Sequence, residues 1–143
     1  MAARFCARGT LAPAVVCYRR ALAIDTDHAV AHNGLGLALQ QLGQMEEALR
    51  HHQRALELDP DMAEAHAGLG SAHRILGRHE EAVHHYQNAL SINPQYAAAH
   101  NDVAGLLLRL GDADGAIRHY ERAVSAQPDY ADAHYNLANV LSA

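Results

Sequence analysis

Cysteine is scarce: Cys6 and Cys17 are the only two in 143 residues, with no CxxC pair and no metal-ligand spacing. This excludes a disulfide framework as the source of the fold and suits a reducing compartment, so the cytoplasm is the expected location. Both residues read as small apolar side chains. Positive charge is short as well: Lys+Arg 11 against Asp+Glu 16 gives a formal charge of -5. A field of that sign does not draw in nucleic acid or an anionic membrane, and neither is an expected partner. Long apolar runs are missing too, and nothing approaches the roughly 18 consecutive apolar residues that a membrane span requires. The opening stretch "MAARFCARGTLAPAVVCYRRAL" sets arginines ahead of apolar residues in the manner of a secretory signal. Its apolar run is short, is broken by Pro13 and leads directly into Tyr18, Arg19 and Arg20, so it is not read as one.

What is present is a chain half hydrophobic by composition, enough for a single domain with a real core. Histidine is abundant: charging all 12 would carry the formal charge from -5 to +7, so behaviour below about pH 6.5 should differ sharply from that at neutrality.

The chain repeats itself. "EEALRHHQRALELDP" (46–60), "EEAVHHYQNALSINP" (80–94) and "DGAIRHYERAVSAQP" (114–128) recur at one fixed offset, the step from position 46 to 80 and from 80 to 114. The same offset relates Pro60, Pro94 and Pro128, then Gly43, Gly77 and Gly111, then Ala48, Ala82 and Ala116, then Ala55, Ala89 and Ala123. Leu35, Leu69, Val103 and Leu137 follow it too. So many independent positions in one register make the repeat the dominant signal.

Each unit reads as two helices. In "AEAHAGLGSAHRIL" (63–76), His66, Leu69, Gly70, His73 and Leu76 fall at three- and four-residue steps, the helical period, with small residues on the packed face. Gly77 then closes the helix in the left-handed conformation, as Gly43 and Gly111 do in the neighbouring units. A second helix, about 80–92, gathers Ala82, Val83, Tyr86, Ala89, Leu90 and Ile92 on one face and stops at Pro94. Asp61 and Asp129, each just after a proline, are expected to cap the next helix.

Leu69, Gly70, Gly77, Ala82, Tyr86, Ala89 and Pro94, all within the single unit 63–96, resemble the tetratricopeptide repeat in identity and spacing. Full units fit at 29–62, 63–96 and 97–130. Phe5, Gly9, Ala14, Tyr18 and Ala21 fit a partial unit at 1–28, and "ADAHYNLANVLSA" fits another at 131–143. The resemblance implies an all-α fold, a right-handed superhelical solenoid of antiparallel helix pairs. Departures are His32, His66, His100 and His134 where a large aromatic is usual, His52 in place of the second-helix aromatic, and Thr26 in place of the first closing proline.

The register bears on the histidines. His51, His85 and His119 share one repeat position beside the buried face of the second helix and are expected to be solvated on its outer side. Adjacent helices stand about 8–10 Å apart, whereas zinc needs its ligands within about 2.3 Å, so a ladder of single histidines makes a poor metal site. "HEEAVHH" (79–85) misses the zinc-helix pattern because Val83 stands where the second histidine belongs. His32, His66, His100 and His134 are expected to fill the aromatic slot between the helices of a unit, with their nitrogens reaching polar partners. No metal and no cofactor is expected.

Catalytic patterns fail similarly. "GLG" at 34–36 and 68–70 lies inside a helix without the third glycine or the preceding strand of a phosphate loop, and Ser71 and His73 have no reason to converge into a triad. The expected function is therefore non-enzymatic: binding an extended peptide or partner helix on the face lined by the first helices. The resemblance places Val30, Asn33, Leu37, Gln40 and Gln41 there from the first full unit. The second supplies Glu64, Ala67, Ser71, Arg74 and Ile75, and the third Ala98, Asn101, Gly105, Leu108 and Arg109. The last helix adds Asp132, Tyr135 and Asn139. The chaperone-carboxylate groove of the family needs a basic cluster, and Asn33, Ala67 and Asn101 at the matching positions bring no lysine. "DYADAHYNLANVL" with Asn136 and Asn139 resembles the repeats of O-linked N-acetylglucosamine transferases, which implies a substrate-selecting fragment of a larger enzyme as an alternative. A further alternative is self-assembly through uncapped ends that expose Phe5, Leu137, Val140 and Leu141.

Overall fold

The structure is a computed structural model that describes residues 11–143, the first two by backbone alone. Phe5, Gly9 and Cys6 lie outside the described residues. Among the described residues there are helices and no strand: α1 (Leu11–Ile24), α2 (Ala29–Gln41), α3 (Met45–Leu58), α4 (Ala63–Ile75), α5 (His79–Ile92), α6 (Ala97–Arg109), α7 (Ala113–Ala126) and α8 (Ala131–Leu141). The fold is the all-α helical repeat solenoid. The closest packing joins α2 with α3, α4 with α5 and α6 with α7. Each pair leans on the next, and the first helices also touch one another, α2 with α4 and α4 with α6, so they line a common face.

Helix ends follow from local chemistry. Gly43, Gly77 and Gly111 have φ of +83°, +79° and +88°, as the sequence led us to expect. The residue after each glycine donates its amide back to the carbonyl of Leu39, His73 or Leu107 at 2.8–2.9 Å, the long bond of a Schellman closure. Second helices open with acids in the first turn of α3, α5 and α7, where the helix dipole favours them. Asp112 additionally caps α7, its carboxylate accepting from the Gly115 amide at 2.8 Å. Pro13 is tolerated in α1 because a first-turn residue has no intrahelical use for the amide it lacks.

Asp61 and Asp129 are not caps, contrary to expectation. The N-cap falls one residue later, on Met62 and Tyr130, and neither makes a side-chain cap bond. Asp61 instead donates its amide to Asp59 Oδ1 at 3.2 Å, a turn repeated at Asp25 with Asp27 and at Asn93 with Gln95. The side-chain cap among the first helices is His28, whose Nδ1 accepts from the Ala31 amide at 3.1 Å.

Ala48, Ala82, Ala116, Ala55, Ala89 and Ala123 are all fully buried, so the small residues in register mark the lines of closest helix approach. Larger groups, including Leu35, Leu39, Tyr86, Val103 and Leu106, fill the spaces between. Cys17 is disulfide-bonded and so is not the plain apolar filler expected of it.

Candidate functional site

One column of side chains joins the units. Tyr18, His52, Tyr86 and Tyr120 occupy equivalent repeat positions on successive second helices. Each ring projects toward first helices that approach closely. A methyl group on Gly34 would run into the Tyr18 ring, and one on Gly68 would run into His52. Gly36 and Gly70 make room in the same way for His52 and Tyr86. Glycine stands at 34 and 68 because a ring from the preceding unit fills the space a side chain would need.

At the next equivalent position the rule breaks, because residue 102 is aspartate. Its Oδ2 accepts a hydrogen bond from the Tyr86 hydroxyl at 3.1 Å. Burial pushes the Asp102 carboxyl above its ordinary range, while the Tyr86 bond and the Arg74 charge pull it back. Burial, with the Asp102 charge second, pushes the Tyr86 hydroxyl up strongly. Tyr96 is raised by burial first and then by the charges of Glu64 and Asp102, so both carboxylates reach the same ring.

Two cavities flank Asp102 on the first-helix face. One, about 260 Å³, is lined by residues that include Leu37, Glu64, Ser71, Tyr86, Tyr96 and Asp102. The other, about 190 Å³, is bounded by Arg74, Asn101, Asp102, Arg109, Tyr120 and Asn136. Here Asn136 Nδ2 donates to Asn101 Oδ1 at 3.1 Å and ties α8 to α6.

The residues expected on this face divide. Leu37, Glu64, Ser71, Arg74, Asn101 and Arg109 line the cavities. Asp132, Tyr135 and Asn139 are exposed on α8 and line neither cavity. Gln40 is a correction: it is buried, with Oε1 2.5 Å from His52 Nε2, and serves the core instead of the face. Asn33 borders the first cavity, yet it too is buried, with its Oδ1 2.9 Å from His52 Nδ1. Two oxygens against both ring nitrogens would suit an imidazolium, but burial lowers His52 to about 4. A neutral ring donates from one nitrogen only, so one of the two amides turns its NH₂ to the ring. Register alone missed Asp102, Tyr96 and Asn136 as lining residues. The signal for Asp102 was its departure from Gly34 and Gly68.

A second set of clefts lies along the histidines. His32 Nε2 donates to the Thr26 carbonyl at 2.9 Å, His100 Nε2 to the Pro94 carbonyl at 2.8 Å, and His134 Nε2 to the Pro128 carbonyl at 2.8 Å. His32 and His100 are buried in the slot with these backbone partners, whereas His134 is exposed and His66 reaches the Pro60 carbonyl only at 3.3 Å, its buried Nδ1 without a partner. His51 and His119 are not solvated as expected. They are half-buried, stacked or tilted against His32 and His100, with Nδ1 to Nδ1 distances of 3.1 and 3.0 Å. The first-helix ring spends its Nε2 proton on the carbonyl, which leaves Nδ1 free to accept from its partner. Burial is the first cause lowering the pKa of His51, His100 and His119. His85, also half-buried and lowered to about 4 by burial and neighbouring histidines, stacks on His73 with centroids 5.1 Å apart. His73 is buried where the other units have Leu39 and Leu107, and its Nδ1 lies 3.5 Å from Glu81 Oε2 without a hydrogen-bond partner. Among the described residues no three His, Cys, Asp or Glu converge as metal ligands.

Stacked helix pairs, glycine closures and an intercalated aromatic column define a helical-repeat protein with a lined face. The sequence matches the tetratricopeptide repeat over residues 27–95 and 61–129 and a TPR repeat over 3–43, and the chain belongs to the tetratricopeptide repeat family. Solved structures similar to it include a crystal structure of MamA, at 24% identity over 99% of this chain and 83% of that one with TM-score 0.84. TTC0263, a thermophilic TPR protein in Thermus thermophilus, is 22% identical over 99% of this chain and 78% of its own, with TM-score 0.83. The first TPR of Spaghetti (RPAP3), bound to the HSP90 peptide SRMEEVD, is 20% identical over 82% of this chain and 94% of its own, with TM-score 0.77. At these identities the likeness is one of fold. No curated protein matches the sequence.

Proposed function

We propose that this chain is a non-enzymatic interaction module whose concave, first-helix face binds an extended peptide or a partner's helix. The carrying observation is the pair of adjoining cavities that share Asp102 and are lined by side chains from α2, α4, α6 and α8. Their mixed lining of amides, guanidinium groups, carboxylates and apolar groups suits a chain with alternating side chains better than one small molecule. The repeat units at 29–62, 63–96 and 97–130 are the building blocks of that surface. A related fold holding an HSP90 peptide supports the class of partner and leaves its sequence open. Arg74→Ala, Asn101→Ala and Tyr135→Ala should each weaken capture of a partner identified by peptide display, measured by calorimetry. Full affinity in all three variants would sink the proposal.

A second reading, self-assembly, rests on the exposure of Leu141 and Tyr135 on α8, at 63% and 68%, whereas Leu137 and Val140 are half-buried against Ala104, Ala116 and Tyr120 instead of exposed as expected. Light scattering over a concentration series tests it, and a constant monomer mass would end it. The alternative of a substrate-selecting arm of an O-linked N-acetylglucosamine transferase keeps only the local likeness around Asn136 and Asn139. In the fold, Asn136 is engaged with Asn101.

A further inference from the structure

The repeat does not call for an acid at residue 102, between α4 and α6. At residue 102 the equivalent positions are Gly34, Gly68 and Asn136, and at residue 64 they are Val30, Ala98 and, in the last helix, Asp132. Features that the solenoid requires recur in every full unit, as the buried alanines do. Asp102 therefore answers to something other than the repeat itself, while Glu64 stands in the first turn of α4, a place the helix dipole leaves open to an acid. Asp102 moreover carries a desolvation cost that a glycine at the same place would avoid.

Both carboxylates border the cavity of about 260 Å³. It lies below the roughly 300–1,000 Å³ of pockets that take drug-sized ligands, and suits one side chain. Its walls are of two kinds. Leu37, Ala67 and Ala98 are apolar, while the acids stand with Tyr86 and Tyr96. Among the described residues no arginine lines it. Arg74, whose charge is felt at Asp102, lines the adjoining cavity.

We propose that this cavity is a subsite for a basic side chain, the arginine or lysine of a peptide lying along the first-helix face. The aliphatic stem packs on Leu37, Ala67 and Ala98, and the cationic head meets Glu64 and Asp102 beside the tyrosine rings. Charge complementarity sets the choice of occupant: two acids and two aromatic rings favour a cation, and an acidic side chain would meet like charge. This subsite rests on the peptide-binding reading and specifies one element of the ligand.

The test uses a library of random dodecapeptides displayed on phage and panned on the full chain. Enriched peptides should carry arginine or lysine at one fixed position. Glu64→Gln, an exposed change that spares the core, should weaken the best peptide at least about tenfold, and Asp102→Asn should do the same. Replacing the basic residue of that peptide by glutamine should cost a similar factor in the parent protein and little more in the Glu64→Gln variant. Enriched peptides with no fixed basic position, or unchanged affinity in Glu64→Gln, would overturn the subsite and leave the peptide-binding reading standing. If no peptide is enriched at all, both fall.

Discussion

Tyr86 and Asp102 show how one side chain can change the character of a repeated contact. Tyr18 and His52 meet glycine at the equivalent position, Gly34 and Gly68, whereas the Tyr86 hydroxyl meets a carboxylate that burial disfavours. Removing only the hydroxyl leaves that carboxylate short of a donor, so Tyr86→Phe should lower stability by about 1–3 kcal/mol in urea unfolding. The loss should shrink in an Asp102→Gly background, which restores the pairing seen at Gly68; an undiminished loss would show that the hydroxyl acts elsewhere. His73 makes the converse case. It is a buried imidazole in a leucine position, with a poorly oriented acid at 3.5 Å as its nearest charge. His73→Leu should therefore stabilise the chain at neutral pH by about 1 kcal/mol, read as a raised urea midpoint with unchanged slope. A lower midpoint would mean that the ring's stacking on His85 outweighs its desolvation.

Helices here end where glycine lets them. A methyl group on Gly77 would touch nothing within 4 Å, so Gly77→Ala isolates the cost of the left-handed backbone at φ +79° from any clash. We expect a loss of about 1–2 kcal/mol, and less for Gly77→Asn, because asparagine tolerates this conformation. Equal losses for the two variants would point to a cause other than backbone strain. Helix existence, order and these closures were legible in the repeat register, since each depends on residues close in sequence. The caps were less so: Asp61 and Asp129 have suitable side chains, but the turn places the N-cap one residue later. Register also names a face without saying whether a neighbouring helix claims the side chain. Gln40 is on the right helix for the groove, yet His52, standing in for a tyrosine, draws it inward. His51 and His119 sit outside the most buried stripe, but their partners His32 and His100 are 19 residues away across the hairpin, a pairing no local pattern reveals.

Across the whole molecule the histidines couple folding to acidity. His51, His52, His73, His85, His100 and His119 all have lowered pKa values, each with burial as the first cause. Unfolded, they would titrate near 6.5, so below that pH the unfolded chain takes up protons that the native state resists. Their contribution to stability is present in full above about pH 6.5 and is lost as pH falls toward the native values, about 4 for His52 and His85. For fully buried His52 alone this amounts to roughly 3 kcal/mol. Asp102, raised instead of lowered, opposes the trend only near the carboxylate range. Net charge makes a different forecast: protonating the histidines carries the chain from -5 through zero toward +7, so long-range repulsion is weakest at an intermediate pH. Urea midpoints at pH 7.5, 6.5, 5.5 and 4.5 separate the two, because buried imidazoles predict a steady fall below 6.5 and net charge predicts a maximum. The same series in high salt should leave the fall largely intact, since burial, unlike surface repulsion, is little screened. A midpoint that is flat from 7.5 to 5.5 would mean that these rings titrate as in the open chain and that the neutral hydrogen bonds joining the helices contribute little.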